Sequence, residues 1–129
     1  MHYCIRFHTA KFDVRQEDEN TINPIPGQSL LLWLKDKLAG TVELDEPDME
    51  DWGWYSGLEW QGRDYLLGAT ALEAEPPSAV YEWIFQVDKH RTLKEKLFGR
   101  EKMTADDECL MFFKSIFDAA PEFEGVEVD

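Results

Sequence analysis

Between Glu43 and Asp51 the chain sets six carboxylates, Glu43, Asp45, Glu46, Asp48, Glu50 and Asp51, with no base among them. The run leads directly into Trp52, Trp54, Tyr55 and Trp60. Three kinds of chemistry use such a stretch. Converging oxygens can hold a hard cation. A carboxylate pair can do acid–base work on a glycosidic bond. A charged lip beside aromatic rings can steer and then grip a basic partner.

The first two fail on spacing and on number. Asp48, Glu50, Gly53 and Glu59 follow the first, third, sixth and twelfth positions of a calcium loop. The fifth position is Trp52, which brings no side-chain oxygen, and the flanks read as loop and strand rather than two helices. No metal site is assigned. With 27 acids in 129 residues, a pair of carboxylates somewhere is guaranteed and carries no information. Ser29, Ser56, Ser78 and Ser115 lack the glycine elbow of a nucleophile, and neither GQS at 27 nor GRE at 99 is a phosphate-cradling loop. His2, Cys4 and His8 share strand parity, but His2 and His8 would stand about 20 Å apart and His2 and Cys4 about 7 Å, so two ligands at best meet at one ion. No catalytic residue and no cofactor is assigned. Two readings remain: a plain one, in which the carboxylates face water and the aromatics pack as core and cross-strand pairs, and docking. The docking reading takes Asp45, Glu46, Asp48, Glu50 and Asp51 as the attracting charges and Trp52, Trp54 and Tyr55 as anchors. Trp52 and Tyr55, nearest the acids, are the expected exposed pair, and Tyr55 lies off the Trp54 face by parity.

The elements that must hold these residues follow from periodicity. Tyr3, Ile5 and Phe7 alternate with His2, Cys4, Arg6 and His8 as a half-buried strand, which Phe12 and Val14 extend. RQEDENTINPIPG is a loop broken by Pro24 and Pro26. Leu30, Leu31, Leu34 and Leu38 have helical spacing, with Gly40 at the C-terminal stop and Lys35 and Lys37 in the last turns. Residues 43–51, with Pro47, read as loop. Strands at 52–60 and 63–71 form a hairpin about the Gln61-Gly62 turn. LEAEPPS is a loop, and Tyr81, Trp83, Phe85 and Val87 alternate as a further strand. Thr92 to Phe98 is a short basic helix stopped at Gly99. Thr104 caps a longer helix whose stripe is Leu110, Phe113 and Phe117, with Cys109, Phe112 and Ile116 beside it. EFEGVEVD is a last strand or a loose tail. Strands followed by helices give a single α+β domain over 1–129. Its antiparallel sheet has about four to five strands, with helices packed on one face.

Composition narrows the partner. The net charge of −14 opposes nucleic acid and anionic membrane surfaces and favours a cationic protein. Lys89, His90, Arg91, Lys94, Lys96, Arg100 and Lys102 concentrate positive charge in one segment, a counter-charge for the acidic run within the molecule or across a homodimer. Cys4 and Cys109 have neither metal spacing nor the number of a disulfide framework, so they read as free thiols. The start, MHYCIRFHTAKF, holds no signal-length apolar run, which places the expected site of action in the cytoplasm.

The segments DEPDMEDWGWYSGLEWQGRDYLLG and VYEWIFQVDK, with the helical end, resemble the small acidic immunity proteins by which bacteria neutralise antibacterial toxins. That resemblance implies a non-enzymatic inhibitor of a basic effector. Two other classes stay open. One is a small enzyme or ligand carrier with a pocket between sheet and helices. The other is a homo-oligomeric building block that pairs through the 79–87 strand as a sheet edge.

Overall fold

Alternating apolar residues on five of the chain's strands define one buried side, and the strands assemble so that those sides coincide. The computed structural model describes residues 3–73 and 79–129. His2 and Pro76, Pro77 and Ser78 of the LEAEPPS segment lie outside the described residues. The strands are β1 (Tyr3–Thr9), β2 (Asp48–Glu50), β3 (Gly53–Trp60), β4 (Arg63–Glu73), β5 (Tyr81–Lys89) and β6 (Glu124–Val128). The helices are α1 (Gln28–Leu38), α2 (Leu93–Leu97) and α3 (Glu108–Ala119). The sheet order is β2-β3-β4-β5-β1-β6, and every pairing is antiparallel. The architecture is α+β with six strands, more than the sequence suggests.

Of the six, one comes from a segment read as loop and another, Glu124–Val128, from a segment read as strand or tail, because both have weak strand character. Asp48–Glu50 lies in the acidic run read as loop, yet it pairs with Gly53–Tyr55. Three charged or long residues make a poor strand on propensity, but an edge strand of this kind also repels unwanted pairing. The C-terminal tail pairs with β1, and Arg6 bonds the Asp129 carboxylate. β5 lies between β4 and β1, so it is an interior strand and not the edge expected for self-pairing. β1 ends at Thr9 because the chain turns into a short 3-10 segment at Val14–Gln16.

The β3–β4 hairpin turns at Gln61 and Gly62, both at positive φ (50° and 81°), the type I′ geometry that matches strand twist. On the helix-facing side Trp54, Leu67, Phe85 and Ile5 sit within one buried cluster. α1 contributes Leu30, Leu31, Leu34 and Leu38, and α3 contributes Leu110, Phe113 and Phe117. The Phe117 ring lies 4.6 Å from Phe7 and 5.4 Å from Phe85, centroid to centroid. α1 has no side-chain cap at Gly27. Instead the Glu17 carboxylate, reaching from the preceding loop, accepts from the backbone N–H groups of Gly27, Gln28 and Ser29. α3 is capped by Asp107 rather than Thr104, with Asp107 Oδ1 accepting from Cys109 and Leu110 N–H. Thr104 instead opens the turn that closes on Asp107, whose N–H donates to its carbonyl.

α2 is held by a capping box between Thr92 and Glu95, and Arg63 clamps Glu95 with two hydrogen bonds at 3.0 and 2.7 Å. The Arg63 guanidinium, then the Thr92 backbone N–H, hold the Glu95 carboxyl down to about 2 from its usual 4.5. A depressed carboxylate contributes stability above its ordinary range and loses it as pH falls through the folded value. Glu95→Gln is therefore expected to loosen the 90–102 segment at neutral pH, with faster amide hydrogen exchange there and none in β3–β5. Equal exchange in parent and variant would refute that tether.

Candidate functional site

α1 and α3 carry their buried residues against one side of the sheet, and α2, which buries none, is tied through Glu95 to Arg63 on that same side; among the described residues no helix lies on the other. The uncovered face is built from the alternate residues. Across its middle run Asp48, Tyr55, Gly68, Gln86 and Cys4 as successive neighbours. On either side lie Gly57, Leu66 and Asp88, and Thr70, Ile84 and Arg6. The centre is apolar and half-buried. The margin on the β2 side is acidic.

Trp52 does not extend β3. It occupies the two-residue turn between β2 and β3 and folds back over β4, where a Cβ on Gly68 would meet its ring at 2.7 Å. Gly68 is thus the mid-strand glycine that lets the edge of the indole approach the sheet closely. The turn is fixed from beneath. Asn20, buried, donates through Nδ2 to the carbonyls of Glu50 and Gly53, both at 2.9 Å. Asn23 Nδ2 donates to the Asp51 carbonyl at 2.8 Å, and Thr70 Oγ1 to the Trp52 carbonyl at 2.7 Å. Every carbonyl from Glu50 to Gly53 has a side-chain partner, so the indole is held in place before any partner arrives.

The carboxylates divide. Asp45 lies against Gly57, with Oδ2 2.5 Å from where a Cβ would stand, on the same face as Tyr55. Asp48 and Glu50 share that parity through their pairing with Tyr55 and Gly53. Asp51 is exposed in the Trp52 turn. Glu46 instead leans to Lys35 of α1, at 3.7 Å, and Glu43 accepts from the Gly40 N–H behind that helix. Further along, Glu59, Asp64 and Asp88 join the same face. Among the described residues none of Asp45, Asp48, Glu50, Asp51, Glu59, Asp64 and Asp88 pairs with a base. Arg6, on the far side, is taken up by Glu82 and Asp129.

Of the three expected anchors, Trp52 and Tyr55 are half-buried on the open face. Trp54 is corrected: it is 2% exposed, because it pairs with Ala69 and Met49 on the helix-facing side, and it belongs to the core. Leu66, Ile84, Gly68, Glu59, Asp64 and Asp88 were missed. Strand parity carried the signal, since each alternates with a core residue of β3, β4 or β5.

Gly68→Ala is a direct test of the seating of Trp52. The added methyl group is expected to lift the ring off the sheet and shift tryptophan fluorescence to the red. An unchanged emission maximum would refute that seating.

Clefts elsewhere offer less chemistry. One of about 340 Å³ lies beside the α3 N-terminus, lined by Trp60, Arg63, Tyr65, Lys89 and Asp107 among others. The Tyr65 hydroxyl donates to Asp107 at 2.8 Å, and Lys89 Nζ lies 3.6 Å from the same oxygen. Burial and then that bond push the Tyr65 phenol well above its usual value, while Glu95 raises Arg63. Both shifts keep each group in its ordinary neutral-pH state, so neither is poised for proton transfer. A cleft of about 550 Å³ near Tyr81 carries Asp13 and Arg15, which pair with each other. Cys4 and Cys109 are free thiols, and Cys109 is buried. His8 is exposed, 3.7 Å from Glu82. Among the described residues no group of three or more His, Cys, Asp or Glu side chains is placed to hold a metal, and no helix is long and apolar enough to cross a membrane.

Comparison with known proteins finds nothing similar: no family model matches the chain, and neither does any curated protein or any solved structure.

Proposed function

We propose that the chain is a non-enzymatic docking protein whose uncovered sheet face binds a basic protein partner, as an immunity protein binds the cationic toxin it neutralises. One observation carries the reading: carboxylates that pair with no base among the described residues lie beside Trp52 and Tyr55 on a single face that none of the described helices covers. A rigid indole and a phenol supply apolar contact at low entropic cost, and the acidic margin steers a cation and fixes its orientation. The turn that presents Trp52 is tied by four side-chain hydrogen bonds, which lowers the cost of ordering on binding.

The test is capture at low ionic strength, where surface electrostatics are least screened. A purified lysine- and leucine-rich basic protein serves as the defined probe, and extract of the producing cell as the second arm. The parent chain is expected to retain the probe, and Asp45→Lys/Asp48→Lys to lose it. Equal retention by both would overturn the docking face.

A further inference from the structure

The segment after β5 is the opposite of the rest of the molecule. Five of the thirteen lysines and arginines, but only two of the 27 acids, fall within residues 90–102, so that segment carries +3 and the remainder −17. It also exposes its apolar side chains: Leu93 is 81% exposed, Leu97 75% and Phe98 63%. Together they far exceed the scattered exposure normal for a surface. Leu93 and Leu97 stand one helical turn apart, with Phe98 next to Leu97, so the three form one patch. Lys94, Lys96, Arg100 and Lys102 are in no ion pair among the described residues.

The lobe is built, not loose. Arg63 clamps Glu95, Arg91 Nε donates to the Arg100 carbonyl at 3.0 Å, and Lys89 Nζ reaches Glu101 at 3.2 Å. Its two glutamates are thereby paired, Glu95 with Arg63 and Glu101 with Lys89, which leaves Lys94, Lys96, Arg100 and Lys102 as its free charge among the described residues. An anionic bilayer would meet the other −17 of the molecule, which disfavours a membrane as the occupant. The complement is present on the chain itself: carboxylates in no ion pair among the described residues, beside Tyr55 and Leu66.

We propose that the 90–102 lobe docks on the uncovered acidic sheet face of a second copy, so that the free chain forms a reciprocal homodimer which masks its own docking surface. Each copy has one lobe and one face, and a two-fold pair satisfies both at once. This rests on the docking-face reading, and it adds a consequence: a basic partner must displace the lobe, so binding competes with self-association.

The experiment is sedimentation of the full chain over a wide concentration range with two charge-reversed variants, Lys94→Glu/Lys96→Glu in the lobe and Asp45→Lys/Asp48→Lys on the face. All four positions are on the surface, and circular dichroism confirms that each variant folds. The parent is expected to dimerise. Each variant alone is expected to dissociate with a constant raised by at least about 100-fold, because like charges then meet at both contacts. An equimolar mixture restores the dimer, since the reversed lobe now fits the reversed face and the native lobe the native face. A parent that stays monomeric, a mixture that stays monomeric, or self-association that survives both reversals would each overturn the inference. The lobe variant is also expected to hold the basic probe more tightly than the parent, having lost its competitor. If lobe variant and parent hold the probe equally while the face variant does not, self-docking falls and the docking face stands. If the face variant holds the probe as well as the parent, the docking face itself falls.

Discussion

Trp52→Ala is expected to weaken capture of a basic partner by roughly 30-fold, the loss of about 2 kcal/mol typical of a central aromatic anchor, while leaving thermal stability close to that of the parent. Trp54→Ala, two residues away, is expected to do the reverse. Trp52 rests on Gly68 on the open face, where its removal uncovers a glycine and creates no internal void. Trp54 is sealed beneath α1, beside Gly27 and Ala69, and its removal leaves a cavity among side chains that cannot all collapse into it. Such truncations cost about 3–5 kcal/mol, a large part of the roughly 5–15 kcal/mol available to a small domain. The pair is measured by thermal melting and by probe titration of the same two proteins. If both variants lose stability together, or if Trp52→Ala binds as the parent does, the assignment of the two indoles to surface and core is wrong.

Asp107→Ala is expected to lower the melting temperature by about 10 °C, near 3 kcal/mol for a chain of this size. One carboxylate does three things there. Oδ1 satisfies two backbone N–H groups at the start of α3. Oδ2 accepts from the buried Tyr65 hydroxyl and lies near Lys89, whose other carboxylate partner is Glu101. Removal uncaps the helix and leaves a phenol without a partner in the interior. Asp107→Asn, which still offers an acceptor to the helix, is expected to lose less. A melting point unchanged in the alanine variant would show that the joint is dispensable.

The same joint sets the behaviour in base. Burial, then the Asp107 bond, raise the Tyr65 phenol, and burial pushes the Cys109 thiol up to about 12. The unfolded chain releases these protons near their ordinary values, about 8.5 for the thiol and 10 for the phenol. The folded chain still holds them there. Stability is therefore complete below those values and falls as pH rises through them toward the folded ones. Tyr65→Phe is expected to flatten the fall above about pH 10. An identical alkaline profile in parent and variant would show that Tyr65 does not contribute to it.

Much of the scaffold was legible because it depends on local periodicity. The β3–β4 hairpin, the α1 and α3 stripes and the alternation of β1 and β5 each bury a side that the sequence spells out at spacing two or three to four. Parity also separated Tyr55 from the core positions Ser56 and Leu58, whereas Trp52 shares their parity and reaches the open face only because it sits in the β2–β3 turn and not in the strand. Parity should have removed Trp54 from the candidate anchors, since Trp54 shares that core parity. The acidic run hid β2, because Asp, Glu and Pro read as loop, and pairing at an edge overrides that preference over three residues. The cap of α3 fell on Asp107 rather than Thr104 because the helix starts three residues later than the hydroxyl suggested.

The amino-acid order by itself determined the charge imbalance, the α+β plan and the two-faced character of each strand, because these follow from residue type and from spacing along one segment. Only the tertiary structure decided that the helices leave one sheet face open, that β5 is interior, and that Gly68, Asn20 and Thr70 hold Trp52 upon that face. Those outcomes depend on which strands become neighbours and on contacts between residues as far apart as Asn20 and Gly53, and no local pattern encodes such a choice.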